Sequence, residues 1–157
     1  MDHFFLIIVT SLLTKLGFNL IIPFLHEGGL ITKNYQGKII PLGYGLLFGI
    51  NSILILILGT VFGIYNFNLS NKLIILILTM TLIGIIDDTL GQKNFQGFKG
   101  HLKAFFLKYK LTTGFFKMTF SFIIVFYLFY YWEKSFIVAL VATLIVLLGA
   151  NFINLLD

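Results

Sequence analysis

Polar positions in this chain are sparse, and the apolar runs between them are too long for strands. Five runs stand out: Phe4 to Leu25, interrupted by Lys15 and Asn19; Leu42 to Ile64; Leu69 to Ile86; Phe115 to Trp132; and Ser135 to about Phe152. Crossing a bilayer as a helix takes about 20 apolar residues. None of the runs carries the polar back of an amphipathic helix on a soluble core. The pattern predicts an all-α fold: a polytopic transmembrane helical bundle of about five spans, forming one transmembrane domain over residues 1–157. Pro23 and Pro41 fall at span edges, where a missing N–H costs little. In the second run, the spacings Gly45-x-x-x-Gly49 and Gly59-x-x-x-Gly63 predict notches for helix packing. Lys15 lies too deep to snorkel well, so it either faces protein or marks a different span boundary. The first run has no basic leader and no small-residue cleavage site, which predicts a retained anchor.

Composition agrees. Of 157 residues, 59% are hydrophobic and 11% charged, against about 25% charged in soluble domains. With no cysteine, disulfides and thiolate metal sites are excluded. The basic residues are 11 lysines against 6 acids. They alternate with apolar runs instead of forming the solvated basic face a nucleic-acid binder needs, so they are read as topology. Lys33, Lys38, Lys93, Lys99, Lys103, Lys108, Lys110 and Lys117 all lie in 27–40 or 87–117, and only Lys72 and Lys134 fall on the other side. The positive-inside rule then puts the N-terminus outside and both lysine-rich segments in the cytoplasm. Tyr130, Tyr131 and Trp132 make an outer aromatic belt. On this topology the fifth span returns to the cytoplasm, so Asn151, Asn154 and Asp157 emerge on the side of Asp87 and Asp88.

Three groups of residues could carry chemistry. Asp87 and Asp88 close the run Gly84-Ile85-Ile86-Asp87-Asp88. Adjacent carboxylates at a helix C-terminus oppose its dipole and are costly near hydrocarbon. A bound cation would offset both, and all-oxygen ligands suit magnesium with substrate phosphates completing its shell. The plainer alternative is a solvated loop start. In the second group, Phe95, Phe98, Leu102, Phe105, Phe106 and Tyr109 recur at helical spacing, with Lys99, Lys103 and Lys110 on another face. Such a segment lies in the interface, its lysines facing a lipid phosphate or a diphosphate, unless topology alone accounts for them. The third is Asn151-x-x-Asn154-x-x-Asp157, which lines one helix side and suits hydrogen bonding to a nucleoside or ordering a metal shell; a polar helix exit is the alternative. His26 and His101 make no metal pair, and Thr112-Thr113-Gly114 reads as a cap for the fourth span.

These residues, in this order, resemble the polyprenyl-phosphate N-acetylhexosamine-1-phosphate transferase family, which includes the phospho-N-acetylmuramoyl-pentapeptide and UDP-N-acetylglucosamine-1-phosphate transferases. The resemblance is carried by Gly84 to Asp88, Gly97-Phe98-Lys99-Gly100-His101-Leu102-Lys103, Leu111-Thr112-Thr113-Gly114, Asn151 to Asp157, and Asn34-Tyr35-Gln36-Gly37-Lys38-Ile39-Ile40-Pro41. It implies a multi-pass enzyme of the bacterial inner membrane with its site facing the cytoplasm. Such an enzyme transfers a sugar 1-phosphate from a UDP-sugar to undecaprenyl phosphate, with magnesium, for peptidoglycan or envelope polysaccharide precursors. Asp87 and Asp88 match the catalytic, metal-binding pair. Lys103, with Lys99 beside it, matches the phosphate site. Asn151, Asn154 and Asp157 match the nucleotide motif, and Asp157 would also be near the metal. Expected partners are the UDP-sugar, the lipid acceptor, membrane lipids and, as an option, a second copy; nucleic acid is not among them. The family's later metal-binding acid and histidine loop have no counterpart here. The expectation is therefore an N-terminal half, inactive alone.

Two rivals remain. A non-catalytic membrane subunit or scaffold would leave the acids merely solvated. A transporter fragment would put polar groups near the midplane, whereas these acids sit at span ends. An acid at position 91 would complete an Asp-Asp-x-x-Asp prenyl-diphosphate site, but Gly91 stands there.

Overall fold

The computed structural model describes residues 2–34, 36–90 and 112–155. Five helices and one small hairpin make up the described chain: α1 (Asp2–Glu27), β1 (Ile31–Lys33), β2 (Ile39–Pro41), α2 (Tyr44–Val61), α3 (Phe67–Leu90), α4 (Thr113–Glu133) and α5 (Phe136–Leu155). The first four helices are long and apolar enough to cross a membrane; α5 is apolar over the shorter stretch Phe136–Asn151. The protein is an all-α helical bundle of multi-pass membrane type. The chain divides into two compact units, Met1–Leu90 and Gly91–Asp157.

In the first unit α2 packs against both α1 and α3, and small residues set the approach. At Gly17 of α1, an added Cβ would run into the Leu47 side chain of α2; at Gly49 of α2, one would run into Thr81 of α3. In lipid, where hydrocarbon competes equally for apolar surface, such close contact and interhelical hydrogen bonds hold helices together. Both kinds occur here. The Asn51 amide donates to Thr14 Oγ1 at 3.3 Å, and Thr60 Oγ1 and Ser70 Oγ are 2.7 Å apart. Phe5 meets Phe62 edge-on at 5.3 Å where the start of α1 meets the end of α2. Asn51→Ala is expected to cost about 1 kcal/mol and to couple to Thr14→Val by about 0.6 kcal/mol. Unfolding of the two single variants and the double variant in micelles measures this, and strict additivity would remove the bond from the account.

The predicted glycine pairs resolve unequally. Gly49 and Gly59 are buried, and an added Cβ at Gly59 would strike the Tyr65 ring. Gly45 faces open space, so it is no notch. Gly63 lies beyond α2 with φ +70°. It accepts the left-handed turn that ends the helix, with Gly63 N–H bonded to Thr60 O and Ile64 N–H to Gly59 O. This is a Schellman cap. Asn66 then opens α3, its Oδ1 accepting from the N–H of Asn68 and of Leu69. α1 ends by the same device at Gly29, φ +75°, with Leu30 N–H on Leu25 O.

Three boundaries differ from the sequence reading. α1 runs through Pro23 to Glu27, so Pro23 sits inside the helix and leaves the Asn19 carbonyl without its helical donor. α3 continues past the acid pair to Leu90, since a helix satisfies its own backbone after leaving hydrocarbon. The segment between α1 and α2, read as a plain loop, holds an antiparallel hairpin in the register Ile31↔Pro41, Thr32↔Ile40, Lys33↔Ile39.

In the second unit α4 and α5 pack together. Ser121 and Val125 of α4 and Ala139 and Thr143 of α5 are buried, each pair four residues apart and so on one helix face. Phe126 meets Phe136 edge-on at 5.3 Å. Thr112 caps α4 as expected, its hydroxyl accepting from Phe115 N–H at 3.2 Å. Tyr130, Tyr131 and Trp132 cluster at the far end of α4, where the Lys134 ammonium lies 4.1 Å from the Tyr131 ring centre.

Candidate functional site at the acidic end of α3

Asp87 and Asp88 lie in the last turn of α3. Successive helical residues diverge by about 100°, so the two carboxylates project differently. Asp87 is half-buried and Asp88 exposed. Asp88 lines a cavity of about 40 Å³ together with Leu25, Leu30, Leu42, Gly43, Leu46, Ile85 and Thr89. This cavity joins the end of α1, both hairpin stems, the start of α2 and the end of α3. It is organised by the cap of α1, because Leu25 and Leu30 are the apolar pair that accompanies a Schellman turn. Gly43 contributes too. Its φ of +91° suits glycine, and an added Cβ would lie 3.4 Å from Leu25 Cδ1.

The hairpin above this cavity carries Lys33 and Lys38. Its tip is a built turn: Asn34 Oδ1 accepts from Gln36 N–H at 3.0 Å and from Lys38 N–H at 2.9 Å. Gly37 takes φ +77° and donates its N–H to Asn34 O. The first unit therefore sets two cations and two carboxylates at one end of its helices. Sequence reasoning missed Lys33, Lys38 and the hairpin as parts of this site. The available signal was the Asn34-to-Gly37 turn between residues of high strand propensity.

Of the other expected site residues, Asn151 is exposed on α5 and Asn154 lies in the last turn of α5. Both belong to the second unit. Lys99, Lys103 and Asp157 lie outside the described residues. Among the described residues no group of three or more His, Cys, Asp or Glu side chains gathers to hold a metal. Asp87 and Asp88 provide hard carboxylate oxygens, the kind of donor magnesium takes when waters and substrate phosphates complete its shell.

The fold and this acid-bearing helix end define a class, a multi-pass helical membrane protein with a charged site at the end of its spans. No family model matches the chain, and no curated protein and no solved structure is found similar to it.

Proposed function

We propose that this chain serves the transfer of an N-acetylhexosamine 1-phosphate from a UDP-sugar to undecaprenyl phosphate. The reaction would take place at the cytoplasmic face of a bacterial inner membrane, with the N-terminus outside. The observation that carries the reading is the gathering of Asp87, Asp88, Lys33 and Lys38 at one end of the first unit. Donor and acceptor are both anionic, so their mutual repulsion has to be offset before the acceptor phosphate can attack the β-phosphorus. Asp87 and Asp88, with Asp157 as the resemblance implies, would hold magnesium, which when bound would supply charge neutralisation on the diphosphate and on the departing UMP. Diverging around α3, the two carboxylates would reach different atoms, so that besides holding the metal one of them could receive the proton of the acceptor phosphate. Lys99 and Lys103 clamp phosphate oxygens, and the hairpin lysines attract the anionic reactants to this end. Asn151 and Asn154 hydrogen-bond the nucleotide.

One observation favours the rival reading of a non-catalytic membrane subunit. The Asp88 cavity is about 40 Å³, while sites for small molecules run to about 300–1,000 Å³. Nucleotide binding separates the two readings. In zwitterionic nanodiscs, the chain is expected to bind UDP-N-acetylglucosamine or undecaprenyl phosphate in a magnesium-dependent way, read by equilibrium dialysis. Failure of both ligands to bind in the presence of magnesium would leave the scaffold reading standing.

A further inference from the structure

α1 carries a feature that the proposed chemistry does not use. Lys15 sits at the middle of an unbroken helix, with thirteen residues before it and twelve after within Asp2–Glu27. At 1.5 Å per residue it is about 18 Å from either end, too far for its stem to carry the ammonium to water. Lys15 falls near the middle of the apolar span Phe4–Glu27, so moving either span end by one turn still leaves it well inside. Ser11 and Asn19 stand four residues to either side, so all three share one face, and all three are exposed. The contacts of α1 with α2 start at one edge of this face and run round from it: Phe18 at that edge approaches Tyr44, Thr14, about 100° from Lys15, bonds Asn51, and Gly17, on the far side, abuts Leu47. Among the described residues Lys15 has no hydrogen bond or ion pair. Pro23 adds the undonated Asn19 carbonyl to the same stretch.

Ionisable groups at this depth pair with other charges or face a protein interior. Within these 157 residues no acid lies in the middle of an apolar run. The acids are Asp2, Glu27, Asp87, Asp88, Glu133 and Asp157. Asp2 and Glu27 are the first and last residues of α1, Asp87 and Asp88 lie in the last turn of α3, and Glu133 ends α4; Asp157 follows the last apolar run. A second copy brings the same acids at the same depths, and two α1 faces together would oppose lysine with lysine.

We propose that the Ser11–Lys15–Asn19 face of α1 docks a transmembrane helix of different sequence that carries an aspartate or glutamate at mid-bilayer depth. The carboxylate meets the Lys15 ammonium and the Asn19 amide donates beside it, while the Ser11 hydroxyl, whose proton goes to Ile7 O at 2.9 Å, keeps its oxygen as an acceptor on the same face. The test uses the full chain in phosphatidylcholine vesicles, with a donor fluorophore on the chain and an acceptor on synthetic leucine-based transmembrane helices. These host helices carry Glu, Leu or Lys at the central position. The Glu host is expected to associate about tenfold more tightly than the Leu host, and the Lys host no better than the Leu host. Lys15→Leu is expected to erase the preference. That change makes α1 more apolar, so the loss would not reflect failed insertion, and unchanged helicity by circular dichroism confirms this. Equal binding of the Glu and Leu hosts overturns the proposal, as does a Glu preference that survives Lys15→Leu.

Discussion

Asp88→Asn, in the protein expressed from its complete reading frame, is expected to lower magnesium-dependent UMP release about hundredfold, with Asp87→Asn close behind. Losing one electrostatic contact in a polar transition state typically costs about 3 kcal/mol, and asparagine keeps the shape while removing the charge that, on the proposed function, would hold a cation. The same substitutions act oppositely on the helix. Carboxylates in the last turn of α3 face the negative end of its dipole, a penalty of about 0.3–1 kcal/mol each. Removing that penalty offsets the loss of each carboxylate's own contacts, so the variants are expected to fold with a stability close to the parent's. Activity and thermal unfolding, measured on the same preparations, separate lost chemistry from lost structure. Near-normal turnover of both variants would remove the pair from the mechanism; equal losses of activity and stability would make the aspartates structural.

The largest effect on stability is expected at Gly49. An added Cβ there would lie 2.8 Å from Thr81 Cγ2 and 3.1 Å from Thr81 Cβ. Rotation about χ1 leaves Thr81 Cβ where it is, so no rotamer clears a large side chain at position 49, and α2 and α3 have to move apart. Separating them would also strain the Thr60–Ser70 bond further along the same seam. Gly49→Leu is expected to cost about 3 kcal/mol, the upper part of the usual range for overpacking. Pairing it with Thr81→Ala should recover part of that, giving a coupling energy of about 1–2 kcal/mol. Gly45→Ala, one turn away and facing open space, is expected to be neutral or mildly stabilising. Denaturant titration in micelles, followed by circular dichroism, tests the set. Equal sensitivity at positions 45 and 49 would mean that helix propensity, and not the Thr81 contact, governs both.

The helices were legible because a span announces itself by apolar content over a fixed length. That signal is summed over many residues and tolerates local exceptions such as Lys15. The ends were less legible. Asp87 and Asp88 end the apolar run, but charged side chains do not break backbone hydrogen bonds, and the helix runs on to Leu90. The hairpin was missed because each strand is three residues long, too short for alternation to register against noise. Thr112 was read correctly as a cap because capping is local: one side chain and a backbone N–H three residues on.

The sequence by itself determined that the chain is an all-helical, multi-pass membrane protein, and it located the acid pair at the end of a span. Composition and run length suffice for both, since each residue contributes independently to transfer out of water. Only the tertiary structure decided which glycines are notches, that Lys33 and Lys38 stand on a hairpin at the Asp88 end, and that Lys15 lies to one side of the α2 contact, exposed. Those facts depend on the rotation of each helix about its axis and on which neighbour it meets. Both are set by close packing between residues such as Gly49 and Thr81 that lie far apart along the chain.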